Sequence, residues 1–508
     1  MKQIMTLIKK QRILFMILIV CLITAVLQGN TLFFNSTHEL KITLFGIVLF
    51  LYLAYLYYLS KTDQLTEDNA VFMIILAGVL LRAFYILFSG VYDNQHDEGA
   101  FSSLKDDHVN AGHLGYIEYL CKFNHLPNFS PYELFSYYHP PLHHIIAAIF
   151  IKLNLLFGVS ETLAFENVQV LTLLYSSLCM PISYGILKKI NLNRKYILLP
   201  MALITLHPGM IYMSGSINND MLATMLTFLC FYFALVWIQN KTLVNLIKIA
   251  LTLGFGMITK LNTAVMAFPL AAIFLYYLIK EKKAGHLLIC IRNYAVFGVI
   301  TAGIGLSWVL RNLIFYNTNP GVPVLTEESV LYIGRFSYSQ IFGIPSDFII
   351  RYPFHTINGK QICNSWLILF RTSIFAEIRP DNLSDALMFS CRLALILTMI
   401  FGIIMAIATF ITELKELKKG NKELGIFLFT GYTAVIITFI GFIIKYPYTC
   451  SCDFRYVVIS ILFTAITLYQ LNSQKNGKLS ALCVNIINFG ILSILTLTTI
   501  ILLFWNQW

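Results

Sequence analysis

Charge is scarce in this sequence. Of its 508 residues, 12% are Asp, Glu, Lys or Arg, 58% are hydrophobic, and the mean hydropathy is +0.73. A soluble domain carries about 25% charged residues, so an ordinary soluble fold is excluded. Linkers are missing too: there is no Gly/Ser-rich stretch, no low-complexity tract and no repeat of fixed period. The longest polar stretches run to about 50 and 70 residues and are broken by aromatics, which leaves no room for a separate soluble domain of about 100 residues. The ten cysteines form no zinc-type CxxC pairs. No Gly-rich phosphate loop appears.

What the chain has instead is long apolar runs. Runs of about 18 residues or more read as membrane helices. They fall at roughly 12–33, 41–60, 70–90, 166–187, 196–214, 220–239, 243–260, 263–280, 287–314, 386–411, 424–443, 455–471 and 480–505. The fold class is therefore an all-α polytopic membrane protein, a single domain over 1–508, with about 13 transmembrane helices. The first run is too long for a signal peptide and no small-residue cleavage site follows it.

The formal net charge of +11 reads as a topology signal rather than as a mark of nucleic-acid binding. Lys and Arg gather in alternate short loops: Lys9, Lys10 and Arg12; Lys188, Lys189 and Arg194; Lys280, Lys282 and Lys283; Lys415, Lys418 and Lys419. The positive-inside rule then places the N-terminus in the cytoplasm, with two long exterior loops, at 91–165 and 315–385. A plasma-membrane, multi-pass location follows. His143–Val159 is apolar but only about 16 residues long, and counting it as a span would invert every later loop. It is expected to be an interfacial or re-entrant helix, started by Pro140-Pro141.

The first exterior loop concentrates acid and histidine. It opens with Asp93, His96, Asp97 and Glu98, continues through Asp106, Asp107, His108, His113, Glu118 and His125, and closes on Tyr138-His139-Pro140-Pro141-Leu142-His143-His144. A carboxylate just outside the membrane can serve as general base toward an acceptor hydroxyl or amine. The plainer reading is a solvated loop with a proline-started helix. Ser214–Asp220 lies at an exterior junction on the same face, where Asp220 could equally be a helix N-cap. Lys260, Arg311, Arg371 and Arg455 are exterior cations that run against the positive-inside bias. One such cation alone would be a snorkelling side chain; several on one face suit a phosphate.

In this order the pieces resemble a family. Asp97-Glu98, Tyr138–Leu142, the Asn-Asp that ends at Asp220, Thr259-Lys260 and Arg455-Tyr456 are similar to the motifs of GT-C glycosyltransferases of the protein O-mannosyltransferase and aminoarabinose-lipid A transferase type. The resemblance implies a GT-C fold with interfacial helices in the first large exterior loop. It implies an inverting transfer of a sugar from a polyprenyl-phosphate donor to a lipid, polymer or protein acceptor on the extracytoplasmic side, with a divalent metal in some members. By the same resemblance Asp97, Glu98 and Asp220 would be catalytic. Lys260, Arg455 and Arg311 would face the donor phosphate, and Asp93, His96, Tyr138 and His139 would contact substrate. Three features depart from the pattern: three spans precede the acidic loop, where one is usual; the loop is rich in histidine; and Asp93 competes with Asp97 for the catalytic role, with Asp97 preferred because the Asp-Glu pair is the family feature and His96 adjoins it. The rival class is a multi-span transporter or lipid flippase, which would carry ionisable groups near the bilayer midplane; here the span interiors are nearly free of acids. No Trp-Trp-Asp run is present, which argues against en-bloc oligosaccharide transfer.

Overall fold

The computed structural model describes residues 11–91, 111–190, 196–283, 285–318, 328–329, 331–344, 353, 363–377, 383–418, 421–474 and 478–505. Among these residues every regular element is helical, and a single isolated bridge, Tyr332 with Tyr448, is the only β pairing. Each of the thirteen apolar runs has a helical counterpart. Among the described residues nine helices are long and apolar enough to cross a membrane, and a bent pair makes a tenth. The other three runs form Arg12–Gln28, Leu243–Met257 and Ser460–Ser473, of 17, 15 and 14 residues. At a rise of about 1.5 Å per residue these reach roughly 21–26 Å, short of a hydrocarbon core of about 30 Å.

The bent pair is Leu198–Leu206 with Pro208–Gly215, at 49°. Pro208 has no N–H to continue the first helix and holds His207 extended (φ −61°, ψ 121°). The Thr205 carbonyl released by the break accepts from Arg82 Nη1 at 2.7 Å, while Arg82 Nε donates to Ser176 Oγ at 2.7 Å. This buried guanidinium ties three helices together and sits where a helix C-terminus favours a cation. Gly78 makes the crossing possible: a Cβ there would lie 2.2 Å from Thr205 Cγ2.

The region after the acidic segment folds on its own apolar nucleus. Helices Gly112–Phe123, Leu142–Leu156 and Glu161–Glu166 pack Leu114, Tyr116, Ile117, Tyr137, Ala147 and Ile151 together. Leu142–Leu156 begins directly after the two prolines, as expected, and leaves Ile149, Leu153, Leu156 and Phe157 uncovered by protein, a face suited to the membrane interface. The second long loop is not all loop. Its helix Ser365–Phe375 packs against Pro208–Tyr212 and Asp385–Glu416 and buries Arg371. No disulfide joins Cys121, Cys363, Cys450 or Cys452.

Candidate active site

Three charged side chains from distant parts of the sequence meet at one end of the helical bundle. Asp220 is the first residue of Asp220–Gln239. Lys260 follows Leu243–Met257 in an extended conformation (φ −157°, ψ 127°). Arg455 lies in the short 3-10 turn Phe454–Tyr456 before the Ser460–Ser473 helix. Lys260 Nζ is paired with Asp220 Oδ1, and Arg455 Nη1 is 3.8 Å from Asp220 Oδ2. The residues are 3%, 7% and 6% exposed respectively, so their interaction is little screened by water. The Tyr456 ring lies beneath both cations, 5.2 Å from Lys260 Nζ and 5.3 Å from Arg455 Cζ. The two cations are thus held against the Asp220 carboxylate in a fixed, mostly dry place, with the buried Asp453 carboxylate beside the Arg455 backbone.

Backbone and amide contacts hold the cluster. Asn218 Oδ1 accepts from the Asp220 N–H at 3.1 Å, and Asn219 Nδ2 donates to the Thr259 carbonyl at 2.7 Å. Asp453 Oδ1 accepts from the Arg455 N–H at 2.8 Å. Thr372 Oγ1, on the helix from the second long loop, accepts from the Phe454 N–H at 2.9 Å. In the sequence only Arg371 marked that helix, as one of the exterior cations.

The histidines of the first exterior region gather beside the cluster. His139 carries the Tyr138 ring at 4.4 Å and stacks on His113 at 4.9 Å. His113 Nδ1 and His144 Nε2 are 2.9 Å apart, and Tyr116 stacks on His144 at 4.4 Å. His143 Nε2 is 2.8 Å from the Ile217 carbonyl. Burial pushes the His143 imidazole down to about 4, although the Ile217 carbonyl and Asp220 oppose this. Burial holds His139 well below the ordinary histidine range, helped by His113, Lys260, His144 and Arg455. His144 is lowered by burial, then by His113 and His143.

These rings are therefore neutral at pH 7. An unfolded histidine, titrating near 6.5, takes up a proton at a higher pH than these folded ones do. Between about pH 6.5 and 4 the unfolded state binds more protons, so stability should fall as the pH drops through that window. Thermal unfolding in detergent at pH 7, 5.5 and 4.5 checks this: an unchanged midpoint would show that the rings are not buried as described.

The remaining expected residues are placed as follows. Asp93, His96, Asp97 and Glu98 lie outside the described residues. Tyr138 is half-buried and its carbonyl accepts from Trp308 Nε1 at 3.3 Å. Arg311 makes no ion pair with Asp220 among the described residues. Its guanidinium donates to the Pro127 carbonyl and to Asn312 Oδ1 (2.8 Å), with its Cζ 4.5 Å from the Trp308 ring centroid. Arg311→Ala is expected to loosen this loop and lower the thermal midpoint while leaving affinity for a phosphate ligand within about twofold, because the lost contacts are packing and carbonyl bonds. A tenfold loss of phosphate affinity in a ligand titration would contradict that placement.

The described residues do not fit a metal. No group of three or more His, Cys, Asp and Glu among them could hold one. The 2.9 Å contact between His113 and His144 is a hydrogen bond in which one ring donates and the other accepts, so the facing lone pair is already used.

An apolar groove of about 770 Å³ reaches Phe454, the residue before Arg455, and is lined among others by Leu203, Trp366, Phe370, Ile403 and Ala406. Phe454 stacks on His207 at 4.9 Å and precedes Arg455 directly, so the polar cluster stands beside one wall of the groove. Gly209 permits this contact, since a Cβ there would lie 2.8 Å from the Phe454 ring.

Residues 138–308 match the family model described as dolichyl-phosphate-mannose-protein mannosyltransferase. The stretch begins at Tyr138 and takes in the Pro-Pro helix, Asp220 and Lys260. No curated protein matches the chain. Among similar solved structures is the Archaeoglobus fulgidus oligosaccharyltransferase in its apo form, at 13% identity and a TM-score of 0.47, over 86% of this chain and 56% of that one. This chain thus spans little more than half the length of that protein. Residues 138–308 are thus similar to protein mannosyltransferases, and with the many apolar helices around them the chain is a multi-pass integral membrane protein.

Proposed function

We propose that the protein transfers a sugar from a polyprenyl-phosphate-linked donor to an acceptor on the extracytoplasmic side of the membrane. The observation that carries this reading is the buried Asp220–Lys260–Arg455 cluster beside an apolar groove. A polyprenyl phosphate has that same composition: one anionic group on a long apolar chain. The name of the matched family carries a donor of this class, dolichyl-phosphate-mannose.

In this reading the acceptor oxygen or nitrogen attacks the anomeric carbon as the bond to the phosphate oxygen breaks, with inversion. The electron pair leaves on the phosphate. Lys260 and Arg455, already oriented by Asp220, stabilise the charge that develops there without reorganising. Asp97 takes the acceptor's proton, with Glu98, Asp93 and His96 beside it. Tyr138 and His139 form the wall between acceptor and donor; a neutral imidazole can both donate to and accept from a sugar hydroxyl. Arg311 is assigned to the loop rather than to the phosphate.

The groove gives a direct test. Ala406 lines it, and Ala406→Trp fills space that a long prenyl chain needs. The KM for a full-length donor should rise about tenfold or more, as expected when a large side chain occupies a ligand cavity. The KM for a donor with a two-isoprene chain should stay near the wild-type value. Equal effects on both donors would show that the prenyl chain lies elsewhere.

A further inference from the structure

His143, two residues after the Pro-Pro pair, has no role in the transfer as described, yet it is fully buried and aimed at the backbone that carries Asp220. His143 lies in the first turn of Leu142–Leu156. Its Nε2 is 2.8 Å from the Ile217 carbonyl. That oxygen can only accept, so Nε2 carries the proton and donates. The ring is neutral and Nδ1 is left with a lone pair that has no hydrogen-bond partner. Three residues after Ile217 comes Asp220, held in its turn by Asn218 Oδ1.

Two further bonds complete a frame. The Leu142 N–H donates to the Ile258 carbonyl at 3.2 Å, and Asn219 Nδ2 donates to the Thr259 carbonyl at 2.7 Å. The start of the Pro-Pro helix is thus bonded both to the turn that carries Asp220 and to the turn that carries Lys260. His143, Ile217, Asn218, Asn219 and Thr259 are all fully buried, so no water replaces a bond that is lost.

We propose that His143 is a positioning residue for the phosphate site: through the Ile217 carbonyl it sets where Asp220 stands, and through Asp220 it sets the spacing of Lys260 and Arg455. The inference rests on the phosphate reading of that cluster. It also gives His143 a reason to stand two residues after the prolines, since they fix the backbone from which it reaches.

The test is a double-mutant cycle in binding. The probe is undecaprenyl phosphate, titrated into the purified full-length protein in detergent. His143→Leu should lower its affinity about tenfold. In an Asp220→Asn background the same change should alter affinity by less than about twofold, because residues that act through one another are not additive. A purely structural role would lower affinity by the same factor in both backgrounds, and that result would overturn the proposal. So would wild-type affinity in His143→Leu.

Should His143→Leu fail to fold, His143→Gln and His143→Asn carry the question. The Gln amide reaches the position of Nε2 and should bind within about threefold of wild type, while Asn falls short and should lose about tenfold, as expected for a lost bond to a buried carbonyl. The reverse order, or equal affinities, would overturn it. A wild-type protein that does not bind undecaprenyl phosphate at all would overturn the phosphate reading itself, and this inference with it. Wild-type binding with multiplying effects would overturn the inference alone.

Discussion

Lys260→Met is expected to lower the rate of sugar transfer about 100- to 1000-fold, the usual cost of removing one fixed group that stabilises developing charge. The side chain is 7% exposed and its ammonium is paired with Asp220. Methionine keeps most of the volume of the stem and deletes the charge. The leaving phosphate would then depend on Arg455, whose charge is partly spent on Asp220 3.8 Å away. Part of the loss should appear in donor affinity and the larger part in kcat, because a phosphate bearing a full leaving-group charge gains more from the cation than the bound donor does. Steady-state rates of donor consumption, with a thermal midpoint to confirm folding, give the comparison. A loss of less than threefold would remove Lys260 from the phosphate site.

Asp97→Asn should cost about 100- to 10,000-fold in kcat, the range for a positioned general base, with donor affinity nearly unchanged, because a base toward the acceptor does not bind the donor phosphate. Asp93→Asn, in the same acidic segment, should cost less than about tenfold if it only supports Asp97. The pair of variants therefore decides which aspartate takes the proton. A wild-type rate in Asp97→Asn, with a collapse in Asp93→Asn, would exchange the two roles.

The membrane architecture was legible because hydropathy is a property of the sequence itself. Every apolar run became helical, and the one pair of helices bent by more than 40° among the described residues is broken at Pro208, the residue whose missing N–H forces it. Short helices such as Leu243–Met257 and Ser460–Ser473 were read as full spans because a hydropathy run continues past a helix end into an apolar turn. Asp220, Lys260 and Arg455 could be nominated together because alternate junctions of a membrane bundle must share a face, and the structure brings them into one ion cluster.

Other parts were not legible, for reasons that are equally physical. Arg311 has the same sidedness as Lys260, but sequence does not show whether a guanidinium is already satisfied by a carbonyl, as it is here by Pro127. Helix Ser365–Phe375 lay within a polar stretch, and its packing beneath Phe454 depends on tertiary contacts with no local signature. The histidines were visible only as a concentration. That they form neutral, stacked and hydrogen-bonded pairs, with His143 on the Ile217 carbonyl, depends on the fold bringing His113 across to His144. The spacing His139-Pro140-Pro141-Leu142-His143-His144 was the one local hint, since prolines fix where the following side chains point.

The central claim is that a sugar leaves a lipid phosphate at the Asp220–Lys260–Arg455 cluster. It is tested most directly by incubating the purified protein in detergent with a radiolabelled mannosyl polyprenyl phosphate and following the label and the freed polyprenyl phosphate together. Wild type should release polyprenyl phosphate in proportion to the label leaving the lipid, and Lys260→Met at the same concentration should do so at least about 100-fold more slowly. Release at the same rate by both proteins, or movement of an intact labelled lipid across a vesicle membrane by the wild type with no phosphate freed, would contradict it.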